Sequence, residues 1–165
     1  MHYMKLESAE REALLRSLSA MGEYLRARFE ALTDEEARRA APEGAFSPIE
    51  QVWHLADLER EGFGARIRRL REEWHPQLPD FDGARIARER DYRSRSLGEG
   101  LELFRAARAA NLAVLRSLTA EEWTRSGTQA GVGPVSLCDM PALLAQHDGA
   151  HRLEIETWQR ARRGS

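Results

Sequence analysis

Apolar residues recur at three- and four-residue steps through the first part of the chain, where Leu14, Leu18, Met21, Leu25, Phe29 and Leu32 share one helical face. The pattern predicts one amphipathic helix from about Leu6 to Leu32. A polar, proline-containing stretch from Thr33 to Phe46 interrupts it. Ser47-Pro48-Ile49-Glu50 then places an N-cap serine, a proline at the first helical position and a glutamate at the third, the strongest helix start in the chain. The second helix continues through Val52, Ala56, Phe63, Ile67 and Leu70 to about Glu73.

Pro76, Pro79 and Gly83 break the periodicity between Trp74 and Ser96, which predicts a long connection with a short helix near Ala84 to Arg90. Long connections of this kind often cover a site. A third helix is expected over about Leu97 to Leu118, with Leu101, Phe104, Leu112 and Leu115 inward, followed by one short turn capped by Thr119. Gly127 to Pro134 reads as a loop. The fourth helix starts near Ser136 or Asp139, with Pro141 leaving its start open, and runs to about Arg162. No β-alternation of useful length and no internal repeat is evident. Four amphipathic helices of roughly 20 to 27 residues predict an all-α protein, a four-helix bundle with a long connection between helices two and three.

Length and composition agree with this. A chain of 165 residues is read as a single domain spanning 1-165. With 32% charged and 42% hydrophobic residues and a net charge of −2, it has the profile of a folded globular protein and gives no reason to expect nucleic acid as a partner. Twenty-four of the 25 basic residues are arginine, from which no partner follows. No window resembles a signal peptide or a membrane span, so a cytoplasmic location is expected. One cysteine, Cys138, excludes an intrachain disulfide and reads as a small residue at a helix start rather than a nucleophile.

Candidate chemistry lies in the histidines. His147 and His151 stand four residues apart, so both rings project from one face of the fourth helix within reach of a single ion. Met140, Leu143, Leu144, Ile155 and Trp158 fall within about 80° of His147 around that helix, so the pair occupies the apolar stripe, and Glu154 shares it. Burying these polar groups without partners would cost several kcal/mol, so something must satisfy them. Helix four alone leaves two accounts open: a histidine pair closed by a hydrogen bond to Glu154, or a chelate. His54, at the edge of the second helix's apolar face, shifts the balance toward metal, and Glu50, Asp57 and Glu61 nearby offer carboxylates to orient its ring. His2 and His75 are weaker candidates and are not assigned. Arg108 and Asn111 interrupt the third helix's apolar face, which points to a polar cavity, although an arginine there more often snorkels to the surface. Trp53, Trp74, Trp123 and Trp158 are read as packing residues ahead of pocket walls.

In chain order, Ser47-Pro48-x-Glu50-x-x-x-His54-Leu55-Ala56-Asp57, Leu118-Thr119-x-Glu121-Glu122-Trp123, Gly133-x-Val135-Ser136-Leu137 and His147-Asp148-x-x-His151-x-x-x-Ile155 resemble the DinB/YfiT-type proteins, metal-dependent four-helix bundles unrelated to the DNA polymerase of similar name. The resemblance covers nearly the whole chain. It implies a divalent ion held by one histidine of helix two and two of helix four, positions filled here by His54, His147 and His151. Pro141, inside the first turns of helix four, departs from the pattern.

Members include thiol-dependent S-transferases, a maleylpyruvate isomerase and hydrolases. The resemblance therefore implies a metal-dependent enzyme that activates a low-molecular-weight thiol or water against a small-molecule substrate, as an S-transferase or hydrolase. The alternative is a non-catalytic, stress-associated metal-binding bundle. A homodimer is plausible from the family. Zn²⁺ or Ni²⁺ are the first expectations for the ion, then Mn²⁺ or Fe²⁺. Glu154, Asp57 and Glu50 are the expected supporting or general-base groups.

Overall fold

The computed structural model describes residues 5–40 and 44–164; His2 and Ser165 lie outside them. Four rods form the bundle. The first is α1 (Ser8–Ser19) followed directly by α2 (Met21–Phe29), and the second is α4 (Pro48–Asp57) running through a π-helical segment, Leu58–Phe63, into α5 (Gly64–Glu72). The third and fourth are α7 (Leu97–Ser117) and α9 (Met140–Arg163). Short helices α3 (Asp34–Ala37), α6 (Gly83–Glu89) and α8 (Ala120–Trp123) lie in the connections. The architecture is the expected all-α four-helix bundle, with α4 packed chiefly on α7 and α1 on α9.

Local chemistry explains the element starts. The Ser47 hydroxyl accepts from the Glu50 amide, the Glu50 carboxylate accepts from the Ser47 amide, and Pro48 needs no partner for its nitrogen. The same reciprocal box, Thr33 with Glu36, builds α3 inside the stretch expected to be loop. Helix four begins at Met140, with Pro141 in its first turn, where a missing N–H costs nothing.

The first helix is divided where the sequence predicted one. At Ala20 the regular ladder gives way, and the Leu18 carbonyl just before it accepts from the Arg108 guanidinium at 2.8 Å. A side chain inserted at a helix carbonyl is a recognised cause of such breaks.

The expectation of no strands needs correction. Gln77–Leu78 (β1), Ser126–Gln129 (β2) and Gly133–Ser136 (β3) form a small sheet in the order β1-β2-β3, parallel between the first two and antiparallel in the hairpin. The stretch expected as the loop Gly127–Pro134 is therefore mostly hairpin. Strands this short carry too few residues for alternation to register. Gly127 is required there: a Cβ on it would stand 2.5 Å from the Pro76 carbonyl oxygen. The sheet ties the long connection to the segment before α9.

The apolar core forms two clusters separated along the rods by a polar layer. On α7, Arg108 lies between Phe104 of one cluster and Leu112 of the other; on α9, His147, Asp148 and His151 lie between Leu144 and Ile155. Trp53, Trp123 and Trp158 are buried packing residues as expected. Trp74 is not: it is 89% exposed, stacked edge-on with His75 in the connection after α5. No helix among the described residues is long and apolar enough to cross a membrane.

Candidate metal centre

Helix α4 delivers His54, and two successive turns of α9 deliver His147 and His151, so that one ring nitrogen from each lies within 4.8 Å of the others. Ring centroids are 4.4 Å apart for His147 and His151, 5.0 Å for His54 and His151 and 5.9 Å for His54 and His147. The Nε2 atoms of His147 and His151 face each other at 3.1 Å. Two nitrogens bound to one ion at about 2.0–2.1 Å each stand at a comparable separation.

His151 has a defined orientation. Its Nδ1 lies 2.6 Å from Oε1 of Gln51, whose own amide nitrogen donates to Glu154 at 2.6 Å. The carboxylate can only accept, so the amide must present Oε1 to the ring, and Nδ1–H of His151 donates to it. Nε2 is left with its lone pair toward His147. Glu154 also approaches Nδ1 directly at 3.4 Å. Its proximity to His151, with the Gln51 hydrogen bond, holds its carboxyl down to about 2.

His54 is buried, packed by the rings of Phe46 and Phe81, and its Nδ1 has no hydrogen-bond partner. The backbone of Gly83, at the start of α6, presses on the same ring: a Cβ there would meet Cε1 at 2.4 Å and Nδ1 at 2.6 Å. The long connection thus covers the site, as its length suggested.

Burial, and then the neighbouring His151, push His54 down to about 4; burial, then His151, His54 and Arg108, push His147 down to about 3. Both rings are therefore neutral near pH 7, the state in which imidazole ligates a cation. Three clustered donors, one without any hydrogen bond at Nδ1 and two with Nε2 atoms opposed, fit a divalent ion.

The other carboxylates considered with this site are engaged elsewhere. Asp57 accepts from Arg90 at 2.7 Å and from the Tyr92 hydroxyl at 2.6 Å; Glu61 also pairs with Arg90. Glu50 serves the helix cap and accepts from Arg93 at 2.9 Å. No hydrogen bond joins any of them to His54. His75 lies away from the cluster, against Trp74 and the Ser126 hydroxyl. Cys138 is fully buried in the core.

Arg108 does not snorkel. It is 3% exposed, and all five of its N–H groups are used: two on Glu59, two on Asp148 and one on the Leu18 carbonyl. Asn111 donates to the Glu59 carbonyl and carboxylate at 2.8 and 3.0 Å. The π-helical segment carries Glu59 to this arginine, and Asp148 is the residue after His147, so the ionic cluster fixes both rods beside the imidazoles. Neither Glu59 nor Gln51 was singled out from sequence. Gln51 had a readable signal, a polar side chain one turn before His54 that shares its helix face with Pro48, Leu55 and Leu58. Glu59 had none, because an extra residue in the helical turn changes the face on which it points.

A cavity of about 390 Å³ opens beside the imidazoles, lined by His54, His147, Phe63, Phe81, Arg66 and Gln129 among others.

Comparison with known proteins places this geometry. The model of the DinB superfamily matches residues 17–155. Among solved structures, YfiT from Bacillus subtilis, described as a probable metal-dependent hydrolase with an unusual four-helix bundle topology, superposes with a TM-score of 0.83 at 19% identity, covering 96% of this chain and 89% of that one. No curated protein gives a significant match. The family match spans most of the chain, including all three histidines of the cluster, and the chain belongs to the DinB superfamily.

Proposed function

We propose that His54, His147 and His151 hold a divalent cation, Zn²⁺ or Ni²⁺ before Mn²⁺ or Fe²⁺, and that the protein is a metal-dependent enzyme acting on a small molecule by hydrolysis or by transfer to a low-molecular-weight thiol. The observation that carries this reading is the convergence of three imidazoles, of which His54 and His147 are held neutral by burial and line an open cavity. The description of the Bacillus subtilis neighbour as a probable metal-dependent hydrolase supports it. An ion bound by neutral ligands keeps its full charge and, when present, supplies Lewis acidity and lowers the pKa of a water or thiol bound to it.

The chain's own residues prepare that site. Glu154 acts through Gln51 to fix the His151 tautomer; it does not line the cavity, so it is a positioning residue rather than a base for substrate. Phe46, Phe63 and Phe81 pack on the imidazoles and limit water around them. The Arg108 cluster holds α7, α9 and the π segment in register.

Elemental analysis of protein purified without a histidine tag tests the site. About one divalent ion per chain is expected, lost in His54→Ala and His147→Ala. Metal-loaded protein is then screened against ester, amide and thiol-conjugation substrates. Turnover that chelation abolishes and metal restores is the expected result; full metal occupancy with no turnover in either screen would overturn the enzymatic reading.

A further inference from the structure

Arg66 projects from α5 into the wall of the cavity that also contains His54 and His147. It is 7% exposed, and its Nε has no hydrogen-bond partner. Its guanidinium carbon lies 5.4 Å from the Phe63 ring centroid, and the same ring is 5.8 Å from that of His147, so a single aromatic side chain spans the interval from imidazole to arginine. Gln129, the last residue of β2, lines the same cavity; it is 8% exposed with Oε1 unpaired. Arg108, equally buried, shows the contrast, since every one of its donors is used.

A buried guanidinium stays charged, and an unsatisfied N–H on it is costly, as is an unsatisfied buried amide oxygen. Both side chains line space large enough for a small molecule, with the two unmet atoms themselves just beneath its surface. Among the described residues, Asp80 is the one carboxylate on the cavity wall; it is exposed, and its Oδ1 accepts from the Phe81 amide. It raises the local negative charge and so disfavours a dianion such as phosphate. A planar monoanion matches the guanidinium fork instead.

We propose that Arg66 and Gln129 form a recognition subsite for a carboxylate-bearing small molecule, the carboxylate seated on the terminal N–H groups of the arginine and an adjacent N–H or O–H donating to the Gln129 amide oxygen once that side chain turns toward the cavity. The far end of the ligand then reaches the imidazoles past Phe63. That last point alone rests on the metal-dependent reading; the carboxylate contact does not. The sheet has a role here, because β2 places Gln129 and β1 leads into Asp80 and Phe81 at the cavity wall.

The test uses the full-length protein, metal-free and Zn²⁺-loaded, with hexanoate, hexanamide and inorganic phosphate as probes. NMR follows the Arg66 Nε–H resonance, assigned by its loss in Arg66→Gln. Hexanoate is expected to shift it saturably in both metal states, with hexanamide at least tenfold weaker. In Arg66→Gln the preference of the cavity resonances for hexanoate over hexanamide should vanish, and in Gln129→Leu the carboxylate preference should persist with weaker binding of ligands carrying a neighbouring N–H, probed with N-acetylglycine. Equal response to hexanoate and hexanamide, tighter binding of phosphate, or no response in the wild-type protein would each overturn the assignment. Failure to take up Zn²⁺ is measured separately and bears on the metal reading alone.

Discussion

Nδ1 of His151 donates to Oε1 of Gln51 across 2.6 Å, and Gln51 in turn donates to Glu154 at the same distance. Two helices far apart in sequence are thereby joined at the outer edge of the imidazole cluster, and the inner nitrogen of His151 keeps its lone pair. Removing the bridge leaves all three imidazoles in place but frees the ring of His151. Gln51→Ala is expected to weaken metal affinity about 10- to 100-fold, the usual cost of losing such a partner. Chelator competition checks this, with the melting temperature of the metal-free protein as a control for folding.

His151 and His75 offer a direct contrast. The first lies in the cluster, the second beside Trp74 at the surface. His151→Ala should lose most bound metal and His75→Ala should keep it. Equal metal content in the two purified variants would count decisively against the assigned ligands.

Gly83 provides a subtler test. A Cβ there would overlap the His54 ring, yet at Gly83, the first residue of α6, alanine does not disfavour the helix itself. Gly83→Ala should therefore lower metal affinity by displacing His54 or by lifting α6, without unfolding the protein. Calorimetric titration with Zn²⁺ against wild type measures it; unchanged affinity would show that the connection does not hold His54 in place.

What sequence reveals and what it hides divide along physical lines. The four rods were legible because each carries a long apolar stripe, and His147 and His151 because a four-residue step places both rings on one face whatever the remainder of the fold does. Features that depend on the encounter of distant segments were not. The break at Ala20 coincides with a contact to Arg108 from α7, and the sheet arises from strands too short to alternate. The buried state of Arg108 depends on two carboxylates from two other rods, one of them carried by a π-helical turn that no periodicity announces. Asp57 and Glu50, close to His54 in sequence, are drawn away by Arg90, Tyr92 and Arg93 from the long connection.

Arg108 makes its own prediction. Arg108→Met leaves Glu59 and Asp148 buried without their counter-charge, a change that typically costs about 3–5 kcal/mol. Denaturant unfolding should show a loss of this order. Combining it with Glu59→Gln and Asp148→Asn removes the uncompensated charges and should recover part of the loss. If the triple variant is no more stable than Arg108→Met, the penalty comes from packing and the lost Leu18 contact instead.

Acid should destabilise the metal-free protein in a defined window. His54 and His147, held near 4 and 3 in the folded protein, return to about 6.5 in the unfolded chain, so between these values the unfolded state binds more protons. Stability then rises with pH. Their neutral forms favour folding fully above about pH 6.5, and this advantage is lost as pH falls toward 3. Glu154 acts in the same sense further down, because its carboxyl is depressed to about 2 and its contribution fades below the usual carboxylate range. Bound metal adds a second dependence, since protons compete for the same nitrogens. Paired melts with and without Zn²⁺ should show a higher melting temperature for the loaded protein at pH 7, a falling melting temperature for both on acidification, and a gap between them that narrows as pH approaches 4, where His54 and His147 begin to take up protons. Identical curves with and without saturating Zn²⁺ at pH 7 would show that the three imidazoles bind no ion that matters to the folded state.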